Sequence, residues 1–258
     1  MSFNYNWLLK VRPAFVASFL KKVFMITRSV VETNYGRFYV DPVSNFGNAI
    51  VSDHAYEEEV IESLEGILHP GDTFVDLGAN EGFFSILASK IVGSDGKVIA
   101  IEPQSRLQSV LVRNIAENNA FNISVYQRVI SDSQGIATLT LSPDMNTGSS
   151  GLVRVTKYKT ATEDIIQLTF KQFIDQLNVS KIKLMKIDIE SFEYEAILGS
   201  KEVFNTNLIE NIALELHPDI LKSRGKSGSD IVDFLLSAGF KENKKYRNLI
   251  LTKETVIK

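Results

Sequence analysis

Apolar residues recur along this chain at two alternating spacings, and the alternation predicts a parallel sheet layered with helices. Thr73-Phe74-Val75 is a short β-prone run preceded by the breaker pair Pro70-Gly71, and it reads as a buried strand. Phe83, Phe84, Ile86, Leu87 and Ile91 then fall at helical spacing. Val98-Ile99-Ala100-Ile101 is a second apolar strand. Leu107, Val110, Leu111 and Ile115 give a second helix its buried stripe, and Ile123 to Ile130 reads as a third strand. Lys183 to Glu190 and Ile212 to Leu216 supply the fourth and fifth strands. Asp230 to Ala238 is an amphipathic helix ended by Gly239, and Lys241 to Tyr246 pairs with Asn248 to Lys253 as an antiparallel hairpin. Strands that alternate with helices imply a mainly parallel sheet covered on both faces.

Two segments break the pattern. Ala137 to Leu141 and Leu152 to Val155 read as short strands around a run of turn formers, a small β-insertion. Its tip, Asn146 to Gly151, is either a surface loop or a cover for a ligand cleft. Near the amino terminus, Phe15, Val16, Phe19, Leu20, Val23, Ile26 and Val30 share one helical face after Pro13, with Lys21 and Arg28 opposite. Lys21-Lys22 leaves this amphipathic helix too short to span a membrane, and no small-residue cleavage site marks a signal peptide. Two readings stay open: it meets an anionic membrane surface from the periphery or covers a ligand site, or it packs on the domain or on a second copy in a homodimer. Residues 1–55 are therefore expected as a basic lead-in segment and residues 56–258 as one ligand-binding α/β domain.

Charge and composition narrow the chemistry. The net charge is −3, yet Met1 to Val31 carries five basic residues and no acid, which leaves −8 on the remainder. An acidic domain of this kind argues against a nucleic-acid partner. There is no cysteine, so disulfides, thiolate metal sites and cysteine nucleophiles are excluded, and a cytoplasmic location is compatible. His54, His69 and His217 are too scattered to suggest a zinc motif, and although Asp188 and Glu190 are of the type that holds a hard cation, no ligand spacing is recognisable. No metal centre is expected.

The candidate chemistry gathers where predicted strands end. Asp76-Leu77-Gly78-Ala79-Asn80-Glu81-Gly82 joins the first strand to its helix. Gly78 and Gly82, lacking a Cβ, let backbone N–H groups approach a ligand at the helix's positive end. The G-x-G-x-x-G fingerprint of dinucleotide sites is missing, which weakens a pyrophosphate ligand. Glu102, at the tip of the second strand, is placed to accept hydrogen bonds from both ribose hydroxyls of a nucleoside. Alternation along the fourth strand points Lys186, Asp188 and Glu190 to one side. Lysine in a central strand is either ion-paired, with Asp188 or Glu193, or committed to a polar ligand. The fifth strand ends in His217-Pro218 at the same rim, where the histidine is either a satisfied structural group or a general base.

The order DLGANEGFFSILASK, VIAIEP, NNAFNISVYQRVISD, IKLMKIDIESFEYEAILGS and IALELHP resembles the FkbM family of S-adenosylmethionine-dependent methyltransferases over roughly Tyr56 to Phe240. The resemblance implies a class I methyltransferase, Rossmann-like α/β fold with a seven-stranded, mainly parallel twisted sheet. It implies O-methyl transfer from S-adenosylmethionine to a small-molecule or glycan acceptor. Asp76, Gly78, Asn80, Gly82 and Glu102 would then hold the cofactor, with Asp132 on its adenine. His217 would act as base, with Asp188 orienting the acceptor or the imidazole and Lys186 holding the acceptor or offsetting the acids. Glu190, Asn146 and Ser149 would meet the acceptor. One departure is Ser191, where the family usually has glycine. Two other classes remain: an NAD-dependent oxidoreductase on the same βαβ unit, and a non-catalytic cofactor-binding module attached to a membrane.

Overall fold

The computed structural model describes residues 8, 11, 14–51, 56–141, 161–190 and 192–254. The described part begins with α1 (Ala14–Val23), β1 (Ser29–Thr33), β2 (Gly36–Val40), α2 (Asn45–Val51) and α3 (Glu58–Ile67). Next come β3 (Thr73–Leu77), α4 (Phe83–Val92), β4 (Lys97–Ile101), α5 (Ser105–Glu117), β5 (Ile123–Tyr126), β6 (Val129–Ser131) and β7 (Gly135–Thr140). The second half holds β8 (Thr162–Thr169), α6 (Phe170–Ile174), β9 (Ile182–Ile187), α7 (Glu193–Leu198), α8 (Lys201–Phe204) and β10 (Ile209–Leu214). It closes with α9 (Pro218–Ser223), α10 (Gly228–Ser237), β11 (Phe240–Glu242) and β12 (Ile250–Lys253).

Seven strands form one sheet in the order β11-β12-β10-β9-β3-β4-β5. The five from β10 to β5 are parallel, and β12 runs antiparallel to β10 and β11. The period-2 alternation of side chains sorts the strands between two cores. Phe74, Val98, Ala100, Leu184 and Ala213 pack with α3, α4 and α5 on one face. Val75, Leu77, Ile99, Met185, Ile187 and Ile212 pack with α7, α8 and α10 on the other. The strand order reverses between β3 and β9, which leaves a crevice at their carboxyl ends, where α/β sheets bind ligands.

Three expectations are corrected. The third strand is not continuous: Gln127-Arg128 separates β5 from β6, and β6 leaves for a second sheet of order β6-β8-β7. The partner of β7 in the insertion is β8, from Thr162, while Leu152 to Val155 and the loop tip lie outside the described residues. Near the amino terminus the helix stops at Val23. Met25 turns the chain at φ +52°, and Val30, expected on the helix, sits instead in β1. The apolar residues of that segment divide accordingly. Ile26 is buried with Val43, whereas Phe19, Val23, Phe24 and Met25 are exposed. Among the described residues no helix is long and apolar enough to cross a membrane.

The β1-β2 hairpin is tied to the crevice. Phe38 and Val40 enter the main core, and Asn114 accepts a hydrogen bond from Tyr39 N at 2.6 Å while donating to Glu81 O at 2.8 Å. Arg28 grips the buried Glu81 carboxylate with both guanidinium nitrogens, at 2.8 and 2.9 Å. Lys21 pairs with Asp41. Two of the segment's five basic residues are thus turned inward to acids of the fold. Removing a partner of a buried pair strands the other charge. Arg28→Met is expected to cost about 3 kcal/mol in urea unfolding; a change below about 0.5 kcal/mol would show that Glu81 is well solvated without it.

Candidate active site

Glycine at position 78 is required by the meeting of two strand ends. A Cβ there would lie 1.8 Å from the Asp188 carbonyl oxygen, and Gly78 has φ +88°. The turn after β3 therefore lies directly against the end of β9. Gly82 serves a different purpose: the space its Cβ would take is filled by Leu111 of α5, 2.3 Å away. It permits helix packing and does not line the cleft. Asp76 is also behind the wall, buried, with Oδ2 accepting from Ser85 Oγ at 2.6 Å and Oδ1 unpartnered.

The open cleft at these strand ends encloses roughly 960 Å³, its solvent mouth included. Its cofactor side is formed by Gly78, Asn80, Ile101, Glu102, Gln104, Arg128 and Ile130. Glu102 is buried, and its two oxygens accept Asn80 N and Gln104 N, each at 2.9 Å. Burial pushes its carboxyl up to about 7, against which the two backbone donors work. Asn80 holds φ +51°, and its Oδ1 is buried without a partner. Ribose hydroxyls donating to Glu102 would favour its charged form, and a ligand N–H would satisfy Asn80. These groups fit an adenosyl ligand.

The same cleft carries an acidic rim. Glu57, Asp188, Glu190 and Glu215 line it together with Tyr56 and His217. Asp188 and Glu190 follow β9, while Glu215 and His217 follow β10. Lys186 is 3% exposed, and its Nζ donates to Asp188 Oδ2 at 3.0 Å. Burial acts to lower its pKa, but Asp188, Asp76 and Glu57 together raise it above the usual value, so the ammonium persists. Lys186 does not line this cleft. The ion-paired reading holds, with Lys186 as counter-ion to Asp188.

His217 is oriented from behind by Glu193, which is fully buried, with Nδ1 3.1 Å from Oε1. Its Nε2 faces Asp188 Oδ1 at 3.8 Å and Glu215 Oε1 at 4.0 Å. The hydrogen bond to the Glu193 carboxylate, opposed by burial and helped by Asp188 and Glu190, pushes the imidazole up to about 9. This favours the protonated imidazole near neutral pH, and since a proton acceptor must already have lost its own proton, the raised pKa works against His217 as a base there. Burial likewise raises Tyr56 well above its usual range, and raises Glu57 and Glu215 above theirs.

Asp188, Glu190 and His217 line one cleft together with Gly78, Asn80 and Glu102. Asp132 lies off the cleft, beyond the β6 break, with Oδ1 near the Ser131 and Ser133 hydroxyls. The wall where it was expected belongs to Arg128, Val129 and Ile130. Asn146, Ser149 and Ser191 lie outside the described residues. Sequence reasoning missed Tyr56, Glu57 and Glu215. For Glu215 a signal existed, since positions 215 and 217 alternate to one side of the chain. For Glu57 none did, because it reaches the cleft through a left-handed turn at φ +48°.

A parallel sheet in this strand order, with a glycine turn after its central strand and a buried ribose-type carboxylate on the next, defines a class I methyltransferase. The Methyltransferase FkbM domain profile matches residues 76–242. Methyltransferase sdnD of Sordaria araneosa is 29% identical over 196 residues, covering 64% of this chain and 71% of that protein. Among solved structures, methyltransferase FkbM from Methylobacillus flagellatus KT is similar with TM-score 0.42 and 14% identity, over 93% of this chain and 60% of that one. A putative methyltransferase from Streptococcus mutans in complex with SAH is similar with TM-score 0.46 and 11% identity, over 76% and 97%. The chain belongs to the FkbM methyltransferase family, and S-adenosylmethionine is its cofactor.

The raised carboxyl of Glu102 makes cofactor affinity pH-dependent. Only the charged form accepts from both ribose hydroxyls, so ligand binding draws the pKa down from about 7 and releases a proton. Affinity for S-adenosylhomocysteine is expected to fall as pH drops below about 7, approaching tenfold per pH unit, and to be flat above it. Glu102→Gln should weaken binding about tenfold at pH 8 and flatten the profile. Calorimetry checks both; an unchanged slope in the variant would place the titrating group elsewhere.

Proposed function

We propose that this methyltransferase acts on a hydroxyl oxygen of a hydroxyl-rich acceptor, a sugar, glycan or secondary metabolite. The observation that supports this reading is the rim of Glu57, Asp188, Glu190 and Glu215 on the same cleft as the cofactor turn. Carboxylates accept hydrogen bonds from hydroxyls and repel phosphates, which favours a neutral polyol over a nucleic acid. Tyr56, kept protonated by its burial and hydrogen-bonded to Glu57, stands on the same wall.

Bound S-adenosylmethionine supplies an activated methyl group on a sulfonium. The chain holds the acceptor oxygen in line with it and receives the hydroxyl proton. Asp188 Oδ1 and Glu215 Oε1 are the acceptor oxygens facing the cleft beside His217. His217, fixed by Glu193, supplies the positive charge that lets these two carboxylates stand close together.

The test is turnover with labelled S-adenosylmethionine over a panel of sugars and hydroxylated metabolites, with the methyl group located by mass spectrometry and NMR. Methyl on oxygen supports the reading; methyl on nitrogen or carbon, or no product from any hydroxylated acceptor, overturns it. With an acceptor in hand, His217→Asn is expected to lower kcat about a hundredfold while S-adenosylhomocysteine affinity stays within about threefold. Turnover within about threefold of the parent would remove His217 from the chemistry.

A further inference from the structure

The sequence spacing suggested no metal centre, yet folding brings Asp188, Glu215 and His217 together so that one ligand atom from each lies within 4.8 Å of the others. We propose that this cluster binds one divalent cation of the hard to borderline kind, such as Mn²⁺ or Mg²⁺.

The first support is the orientation of the histidine. Glu193 engages Nδ1 at 3.1 Å from a fully buried position, which turns Nε2 toward Asp188 and Glu215. A carboxylate behind the imidazole is the usual outer partner of a metal-ligating histidine: it fixes the ring and puts the lone pair on the nitrogen that faces the ion. Distance is the second. Ligands about 2.1 Å from a common ion are about 3 Å apart. The observed 3.8 and 4.0 Å from Nε2 to the two carboxylates need an inward movement of about 1 Å or less. Glu215 can make it, because its side chain is 51% exposed.

Charge gives the third support. Asp188 shares only Oδ2 with the Lys186 ammonium, so Oδ1 points to the cluster. Glu57 and Glu190 add negative charge to the same cleft. A divalent ion supplies the compensation that a single imidazolium proton otherwise provides. The donor set is two carboxylates and one imidazole in a chain without cysteine, which suits Mn²⁺ or Mg²⁺ better than a thiophilic metal. All three residues line the cleft, so the remaining coordination positions open toward water and the acceptor. A role for the ion in polarising an acceptor hydroxyl rests on the proposed function; the binding itself does not.

The experiment uses the full-length, chelator-treated protein without acceptor, titrated with Mn²⁺ at pH 7.5 by electron paramagnetic resonance and calorimetry. One Mn²⁺ per chain is expected, weakened at least about tenfold by Glu215→Gln and by Asp188→Asn, and unchanged by Glu210→Gln on a distant surface. Absence of binding at about 1 mM Mn²⁺, or equal affinity in Glu215→Gln, overturns the site. A second measurement needs no variant: substoichiometric Mn²⁺ should broaden the His217 ring resonances first. His69, exposed beside Asp72, is the internal control; broadening of His69 first, or of all histidines alike, would show adventitious binding and overturn the proposal.

Discussion

The structure turns on one buried ammonium. Lys186 lies near the carboxyl end of the central strand β9, across from Asp76 on β3, with its Nζ on Asp188 and beside the Phe84 ring. A lysine this deep is costly unless opposite charges surround it, and Asp76, Asp188 and Glu57 do so. The same ammonium allows those acids to crowd the ends of adjacent strands. Without it, Asp76 and Asp188 would repel each other beneath the cleft floor, and the acidic rim would have no fixed geometry. Charge balance inside the sheet is therefore the condition for the acidic chemistry above it.

Around this centre two further constraints set distances. The absence of a Cβ at Gly78 brings the cofactor turn against the Asp188 carbonyl, so cofactor and acid rim share one cleft. The Arg28–Glu81 pair, backed by Asn114, ties the amino-terminal hairpin to the same turn. A third network acts on the far side of the rim. Glu195 of α7, nearly buried, pairs with both Arg224 and Lys226, and Arg224 lies over Phe192, a lining residue. The segment that carries His217 is thus held at its far end by ion pairs and at its near end by Glu193. Backbone strain concentrates here as well: Glu57, Asn80 and Glu190 all have positive φ and all line the cleft. Such conformations persist where surrounding contacts over-determine them, as at a preorganised site.

Much of this was legible in the sequence because parallel strands buried on both faces leave long apolar runs that end in acids. Glu102 and Asp188 mark the carboxyl ends of β4 and β9, and their common rim follows from sheet geometry alone. What stayed illegible depended on tertiary choice. Nothing local says that Gln127-Arg128 breaks an apolar run and sends Val129 to Ser131 to a second sheet. Val30 fits helical spacing with Phe19 and Val23, but its β-branched neighbourhood pairs with Gly36 to Val40 instead. The proton on His217 was equally hidden, since it depends on Glu193, 24 residues away and buried only after α7 docks.

The central claim is that the turn after β3 and the tip of β4 form the cofactor site, facing the acids of β9 and β10. Hydrogen–deuterium exchange measured with and without saturating S-adenosylhomocysteine tests it most directly, because it reports where the ligand acts without a variant or an acceptor. The account predicts protection in peptides covering Gly78 to Gly82 and Glu102 to Gln104, with the β11-β12 hairpin unchanged. Protection absent from both peptides, or found only at the amino-terminal ends of the strands, would contradict it.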